Sequence, residues 1–336
     1  DLKEKNPNYT LTFSPKAYLR KEMSGGAITG EALFTLGGIS NSLTIHCKEN
    51  GYFSIFNSDR YGFNNPDEEW DKKEIDFFLV GDSFVFGSCV NRPNDIGSVL
   101  RNLEQDKKTV LNLSYDGHGP LMQLASIIEY SKKLKIKNIF WFYYEGNDLK
   151  DLSLELKSKA FSKYYNNLKF TQNLTLKQNI IDHELGELIF QIPKQGYVHR
   201  VDDKKKFIKL QNVRTSVKRI LIKKEEFSKF PLKEFKQTLK LAKDIAFEKN
   251  SNLYFVYLPS FNRSTSKQKH EKEDAVKNLI EELKIPMIDI AKRVFDNHKN
   301  PKSLFPFDGR MGHYNETGYK LVGKSIYEFI KKRDIE

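Results

Sequence analysis

Three short motifs in this 336-residue sequence place a hydroxyl and several hydrogen-bond donors just after apolar runs. The first is GDSF at 81–84, in which the Ser83 hydroxyl would project from a strand-to-helix turn. Its backbone N–H would then lie at a helix N-terminus, where an anion is stabilised. Such a serine can act as a nucleophile if a base accepts its proton. Taken alone, Asp82 or Ser83 could equally serve only to cap the helix.

Two later turns offer donors for a developing oxyanion. NLSYDG (112–117) ends in Gly117, which lets a ligand approach the backbone closely and can present its N–H. EGND (145–148) contains Asn147, whose carboxamide can donate a hydrogen bond. An ordinary turn glycine and a helix cap are the alternatives at these two positions.

The candidate base lies near the C-terminus, in DGRMGHYN (308–315), just before a last helical pattern. His313 in this loop could reach Ser83, although a lone loop histidine more often decorates the surface. The other histidines lack metal-ligand spacing, and no phosphate-binding G-x-x-x-x-G-K-[ST] motif occurs, so we expect no metal and no cofactor. His118, which follows Gly117, is expected to touch the substrate.

Continuous apolar runs predict the elements that must position these residues. The predicted strands are Ile75–Val80, Thr109–Leu113, Asn138–Tyr144, Asn252–Leu258 and Met287–Ile290. Helical patterns alternate with them at Ile96–Leu103, Leu121–Leu134, Leu232–Lys249, Lys272–Leu283 and Glu316–Lys332. This alternation predicts an α/β fold with a doubly wound, flavodoxin-like parallel sheet in three α/β/α layers.

The rest of the chain departs from that rhythm. Residues 1–74 are predicted to be a β-rich extension that packs on the core, irregular up to about residue 35 and with short strands in 40–57. Residues 75–150 and 233–336 form the α/β domain. Residues 151–232 are too long for one crossover and predict a basic, mostly helical inserted cap.

The positive charge is concentrated in this insertion. The net charge is +12, and residues 150–236 hold 20 Lys+Arg against 10 Asp+Glu. Such a surface would attract anionic partners, although a solvated lysine-rich surface would look the same. No nucleic-acid motif accompanies it, so we expect no nucleic-acid partner. No apolar run reaches the roughly 18 residues that a membrane span needs.

Cys47 and Cys89 allow two interpretations. They could be two buried thiols, or a disulfide that ties the N-terminal extension to the segment after Ser83. A disulfide would indicate an oxidising compartment. Since the chain begins with Asp, we expect a processed, extracytoplasmic protein that is periplasmic or anchored to a membrane outside this sequence.

The order GDSF, N-x-S-x-x-G, G-N-D and His-x-Asn resembles the SGNH hydrolases, or GDSL-like esterases, and among them the bacterial surface-polysaccharide type. The resemblance covers about residues 75–150 and 250–332. It implies that Ser83 is the nucleophile and His313 its base, with the N–H groups of Ser83 and Gly117 and the amide of Asn147 as the oxyanion hole. The family usually has an aspartate three residues before the histidine, where this sequence has Arg310. Asp308, five residues before, would complete a triad, or the site is a Ser–His dyad.

The resemblance leaves three functions open. The first is an esterase that removes O-acyl, above all O-acetyl, groups from a carbohydrate through an acyl-enzyme. The second is an O-acyltransferase for a cell-surface polysaccharide, which could receive acyl groups from a membrane-bound donor partner. The third is a non-catalytic glycan-binding module. In each case the partner is an acylated carbohydrate or polysaccharide, and the basic segment would suit an anionic one.

The loop DRYGFN (59–64) also resembles a segment that often precedes the GDSF strand in bacterial proteins of this type. Arg60 in this loop could pair with a carboxylate near the site. The alternative that we favour is that Arg60 braces the N-terminal extension.

Overall fold

The computed structural model describes residues 9–17, 19, 33–103, 108–196, 230–261, 267–309 and 312–333. Its strands are β1 Tyr9–Leu11, β2 Leu43–Ile45, β3 Ile55–Asn57, β4 Glu74–Val80, β5 Val110–Asn112, β6 Lys135–Tyr144, β7 Asn252–Leu258 and β8 Met287–Asp289. Its α-helices are α1 Ser83–Phe86, α2 Ile96–Arg101, α3 Pro120–Tyr130, α4 Asp148–Glu155, α5 Lys159–Asn166, α6 Gln178–Gly196, α7 Leu232–Glu248, α8 Lys267–Glu282 and α9 Glu316–Arg333. Among the described residues we find no helix that is long and apolar enough to cross a bilayer.

The central sheet has five parallel strands in the order β5-β4-β6-β7-β8. Counted along the chain within this sheet, the order is 2-1-3-4-5, which is that of flavodoxin-like folds. The predicted α/β fold class is therefore confirmed.

Both faces of this sheet are covered, which is why its strands are apolar without interruption. In β4, Phe78 and Val80 point into one hydrophobic cluster, whereas Phe77 and Leu79 point into another. The first cluster contains buried residues of α3, α7 and α8, and the second contains those of α2 and α9. The predicted three α/β/α layers follow from this alternation.

The strand order also fixes where a ligand can bind. β4 lies between β5 and β6, so that the loops leaving these three neighbouring parallel strands emerge at one edge of the sheet. The point where the strand order reverses lies there, and in open α/β sheets it is the usual ligand crevice. The turns that carry Ser83, Gly117 and Asn147 follow β4, β5 and β6 in that order.

The N-terminal residues form a second, three-stranded sheet, in which β1 runs parallel to β2 and β2 antiparallel to β3. β1 lies in a stretch that the sequence predicted to be irregular. It has only three residues, all of them half-buried, so it is too short for a strand pattern to be recognised in the sequence. Phe34, Leu36, Phe56 and Phe63 of this region are buried in the same cluster as α3.

The described part of the predicted insertion consists of α4 (in part), α5, α6 and a short 3-10 turn, Leu174–Leu176. The side chains of Phe161, Tyr164 and Leu174 are fully buried in the cluster that covers α3. Residues 197–229 of the insertion lie outside the described residues. Whether 151–232 is a separate unit stays a prediction.

Candidate active site

Ser83 is the first residue of α1, directly after the end of β4. Asp82 caps this helix, with its Oδ1 accepting the N–H of Phe84 at 2.9 Å. The turn is tight, because a Cβ on Gly81 would lie 2.4 Å from the Cγ2 of Val85. Ser83 is only 7% exposed, so that most of the residue is buried in the turn.

His313 meets Ser83 across this crevice, with its Nε2 2.9 Å from the Ser83 Oγ. The two residues after it hold the loop in place. Tyr314 is fully buried and its hydroxyl donates to the carbonyl of Pro259, while the Asn315 side chain accepts the N–H of Gly318 at the start of α9. The imidazole is therefore placed within reach of the Ser83 proton.

The third residue of this series of contacts is Glu49, which lies in the loop between β2 and β3. Its Oε2 lies 2.9 Å from the Nδ1 of His313 and also accepts the backbone N–H of His313 at 3.0 Å. A carboxylate in this position fixes the imidazole tautomer, so that Nδ1 carries the proton and Nε2 is free to accept one. The structure thus aligns a carboxylate, an imidazole and a hydroxyl.

This geometry corrects the prediction for Asp308. Asp308 is exposed, and it ends a 3-10 turn, Pro306–Asp308, with a positive φ of 52°. The Nδ1 of His313 is instead hydrogen-bonded to Glu49. Asp308 was predicted because it is the nearest aspartate before the histidine in sequence, whereas the carboxylate comes from 264 residues away. Arg310 lies outside the described residues.

A disulfide between Cys47 and Cys89 brings Glu49 to the site. Of the two interpretations of these cysteines, the structure therefore has the disulfide. Cys47 is two residues before Glu49 and Cys89 is six after Ser83, so this pairing was the sequence signal that could have identified Glu49. Asn50 supports the same junction by donating its amide to the carbonyl of Cys89 at 3.0 Å.

The two predicted oxyanion donors lie in the turns after β5 and β6, the strands on either side of β4. Gly117 is in a turn closed by the His118 N–H and the Tyr115 carbonyl at 3.2 Å, and it has a φ of +82°, which favours glycine. Asn147 caps the backbone of α4 and is half-buried, and its Oδ1 is buried with no hydrogen-bond partner among the described residues. The roles of Gly117 and Asn147 remain predictions.

His118 does not line the accessible crevice. It is fully buried next to Tyr115, and burial lowers the pKa of its imidazole to about 3. The structure therefore contradicts the expected substrate contact. The turn that exposes the backbone of Gly117 directs the next side chain into the core, against the backbone of Leu36.

The electrostatics of the site suit a base and its orienting carboxylate. Burial lowers the pKa of His313, but the hydrogen bond and the charge of Glu49 raise it together with the charges of Asp82 and Asp116, so that the pKa lies above its ordinary value. Burial raises the pKa of Glu49, but the hydrogen bond and charge of His313 outweigh it and lower the pKa. The pair thus favours a charged carboxylate and a more basic imidazole.

Two buried aspartates lie beside the site. Asp82 caps α1, and burial raises its pKa to about 7. Asp148 accepts the N–H of Tyr144 at 3.1 Å and so fixes the loop that carries Asn147. Their hydrogen bonds to backbone groups agree with a structural role for both.

Aromatic rings close the space around the base. The ring of Phe84 stacks on Tyr144 with centroids 3.9 Å apart, and it also contacts the imidazole of His313 at 4.8 Å. Phe84 thereby links the loops after β4 and β6 to the His313 loop.

One group of side chains in the described residues has the spacing of metal ligands: Glu49, Cys89 and His313, with ligand atoms within 4.8 Å of one another. The Cys89 sulfur is in the disulfide, and the other two atoms are hydrogen-bonded to each other. The disulfide accounts for Cys89, and the contact between Glu49 and His313 accounts for the other two residues.

Several solved structures are similar to this chain. One is a putative lipolytic protein of the G-D-S-L family from Desulfitobacterium hafniense, with 16% identity, a TM-score of 0.41, and 75% of this chain and 98% of that chain covered. Others are a psychrotrophic esterase from Pseudoalteromonas (10%, 0.42, 78% and 100%) and a lipase/acylhydrolase from Enterococcus faecalis (12%, 0.41, 77% and 97%). No protein-family model and no curated protein sequence matches this chain.

Proposed function

We propose that this chain is a serine ester hydrolase of the SGNH type, with Ser83, His313 and Glu49 as its triad. The observation that carries the proposal is the unbroken line of contacts, 2.9 Å from Ser83 Oγ to His313 Nε2 and 2.9 Å from His313 Nδ1 to Glu49 Oε2. A hydroxyl beside a base that a third group orients is the arrangement that nucleophilic catalysis needs.

In this proposal the Ser83 oxygen attacks the acyl carbonyl while His313 accepts the hydroxyl proton. The oxyanion accepts hydrogen bonds from the N–H groups of Ser83 and Gly117 and the amide of Asn147. As the intermediate collapses, His313 gives the proton to the leaving alkoxide, which leaves the acyl group on Ser83. Water then attacks the acyl carbonyl while His313 accepts its proton. His313 returns this proton to the Ser83 oxygen as the bond between that oxygen and the acyl group breaks, and the carboxylic acid departs.

The test is hydrolysis of 4-nitrophenyl acetate together with labelling by a fluorophosphonate, which reacts with an activated serine. We expect turnover and labelling of the wild-type protein, and neither in Ser83→Ala. Asp308→Asn is the matched control, because Asp308 was the predicted carboxylate and the structure has Glu49 in its place. This variant should be labelled like the wild type. An unlabelled wild-type protein with no turnover above Ser83→Ala would reject the enzyme in favour of a non-catalytic glycan-binding module.

We further propose that the substrate is an O-acetylated carbohydrate. The 7% exposure of Ser83 favours a short acyl group over a long one. The net positive charge of residues 150–236 favours an acidic polymer. Release of acetate from acetylated acidic and neutral glycans, compared at low and high salt, tests this. Equal rates on both polymers at low salt would contradict the preference for an acidic one.

The same acyl-enzyme could be resolved by a sugar hydroxyl, which would make the protein an O-acyltransferase. Donor turnover should then rise when an acceptor glycan is added, and acylated glycan should form. Turnover that ignores the acceptor would leave hydrolysis as the reaction.

We place the protein outside the cytoplasm. The support is the Cys47–Cys89 disulfide, because such bonds persist in oxidising compartments. Thiol titration of the protein isolated from its native cells, with and without reductant, tests this location. Two free thiols before reduction would contradict it.

A further inference from the structure

We infer that Ser14 is a positioning residue for the oxyanion hole, because it fixes the peptide that presents the Gly117 N–H. This inference rests on the proposed function, in which that N–H binds the oxyanion. Ser14 lies in the N-terminal segment 12–17, which follows β1 and lies outside the part of the chain that resembles the hydrolases.

The key contact is between the Ser14 hydroxyl and the carbonyl oxygen of Asp116, to which it donates at 2.9 Å. That carbonyl and the N–H of Gly117 belong to one peptide unit. A trans peptide is planar and its C=O and N–H point in opposite directions. Holding the carbonyl on Ser14 therefore directs the N–H away from Ser14.

The turn around this peptide has two alternative states. It is closed by the His118 N–H and the Tyr115 carbonyl, so that Asp116 and Gly117 are its two central residues. The φ of +82° at Gly117 is that of the third residue of a type II turn. Type I and type II turns differ mainly in the orientation of the central peptide, and glycine admits both. The Ser14 hydroxyl selects one of the two.

The segment that carries Ser14 is itself fixed. The Thr12 N–H donates to the carbonyl of Ile45, which continues the pairing of β1 with β2, and the Ala17 N–H donates to the carbonyl of Ser14. Contact with the turn is close, because a Cβ on Gly117 would lie 2.5 Å from the Ser14 Oγ. Ser14 therefore acts from a rigid support. Its hydrogen bond also polarises the peptide, which strengthens the N–H as a donor.

The expected effect is on the transition state and not on substrate binding. Removal of one oxyanion donor typically lowers kcat by about 10²- to 10³-fold. Without the Ser14 hydroxyl the turn would still adopt the productive state part of the time, so the loss should be smaller, roughly 10- to 100-fold in kcat. KM should change by less than about twofold, since an interaction made only in the transition state affects kcat.

The experiment compares Ser14→Ala, Ser14→Thr and Lys16→Met in the full chain, with 4-nitrophenyl acetate as substrate. Ser14→Thr keeps the hydroxyl and should recover most of kcat. Lys16→Met is the matched control, because it removes the ion pair of the same segment with Asp151 but leaves the Ser14 contact. Wild-type kcat in Ser14→Ala, or an equal loss in Lys16→Met, would overturn the positioning role.

Failure of this inference and of the proposed function can be told apart. An unreactive wild-type protein rejects the proposed function, whereas an active wild type with an equally active Ser14→Ala rejects only the role of Ser14. Crystal structures of the wild type and Ser14→Ala give a readout that needs no turnover. A flipped or mixed peptide between Asp116 and Gly117 in the variant supports the inference, and an unchanged peptide contradicts it.

Discussion

The α/β core and the N-terminal segment (residues 9–57) supply different parts of the site. The core places Ser83, Gly117 and Asn147 after adjacent parallel strands, where the fold alone brings them together. The N-terminal segment supplies Glu49, which contacts His313, and Ser14, which contacts the turn of Gly117. The reacting groups thus come from the core, whereas two of the groups that orient them, Glu49 and Ser14, come from outside it.

A catalytic site can therefore be identified from sequence motifs in its core, although the residues that orient it from outside the core have no such motif. The two regions are joined by the disulfide and by hydrogen bonds such as that between His46 Nε2 and Ser88 Oγ, at 2.9 Å. Perturbing the N-terminal segment should therefore reduce activity while the core stays folded. Substitutions in each region can test whether the N-terminal segment orients groups that the core supplies.

The largest effect is expected from Glu49→Gln. The substitution keeps the shape of the side chain but removes the charge that fixes the tautomer of His313 and stabilises its imidazolium. In an analogous triad such a change lowers kcat by about 10⁴-fold, so we expect a loss of roughly 10³- to 10⁴-fold. Asp308→Asn should lower kcat by less than about threefold, since Asp308 is exposed and away from the imidazole. A large loss of kcat in Asp308→Asn with a small one in Glu49→Gln would instead show that the core supplies the carboxylate that orients His313.

The sequence predicted the core well because buried parallel strands have a local signature. Asn252–Leu258 was predicted with its observed bounds, and the predicted Ile75–Val80 differs from β4 by one residue. Ser83 and His313 were identified because each stands in a short motif. Glu49 has no such motif, because its role depends on a contact between residues 264 apart. His118 was mispredicted because its neighbour Gly117 does not determine which way the next side chain turns.

Removing the disulfide should uncouple the two regions. Cys47 and Cys89 are 42 residues apart, and closing a loop of that length stabilises the folded state by about 4 kcal/mol in the chain-entropy estimate. We expect the double variant Cys47→Ser, Cys89→Ser to lose about that much free energy of unfolding in urea. Its kcat should also fall, because Glu49 is no longer held. Reduction of the wild type is the control, and unchanged stability and kcat in both would show that the junction holds without the bond.

The pH dependence of activity gives a finer test of the same junction. Only the neutral imidazole accepts the Ser83 proton, so kcat/KM should rise with pH through the pKa of His313. That pKa lies above its ordinary value, because burial lowers it but Glu49, with the charges of Asp82 and Asp116, raises it. Glu49→Gln removes the charge of Glu49 and should move the titration of His313 to lower pH, as followed by NMR of its imidazole. In Asp308→Asn the titration should stay in place, and a shift there but not in Glu49→Gln would assign the carboxylate to Asp308.

The smallest effect is expected from Arg60→Gln. Arg60 belongs to the N-terminal extension (residues 1–74) but makes none of the contacts described above between that extension and the active site. The guanidinium pairs with Asp67 at 2.8 Å and with Asp71 at 2.8 Å, in agreement with a bracing role. Because Arg60 and Asp67 are both partly exposed, their pair contributes only about 0.2–1 kcal/mol, and less at high salt. We expect a small decrease in urea stability at low salt, a smaller one at high salt, and wild-type kcat. A clear loss of kcat at unchanged stability would mean that the N-terminal region affects catalysis by a route other than Glu49 and Ser14.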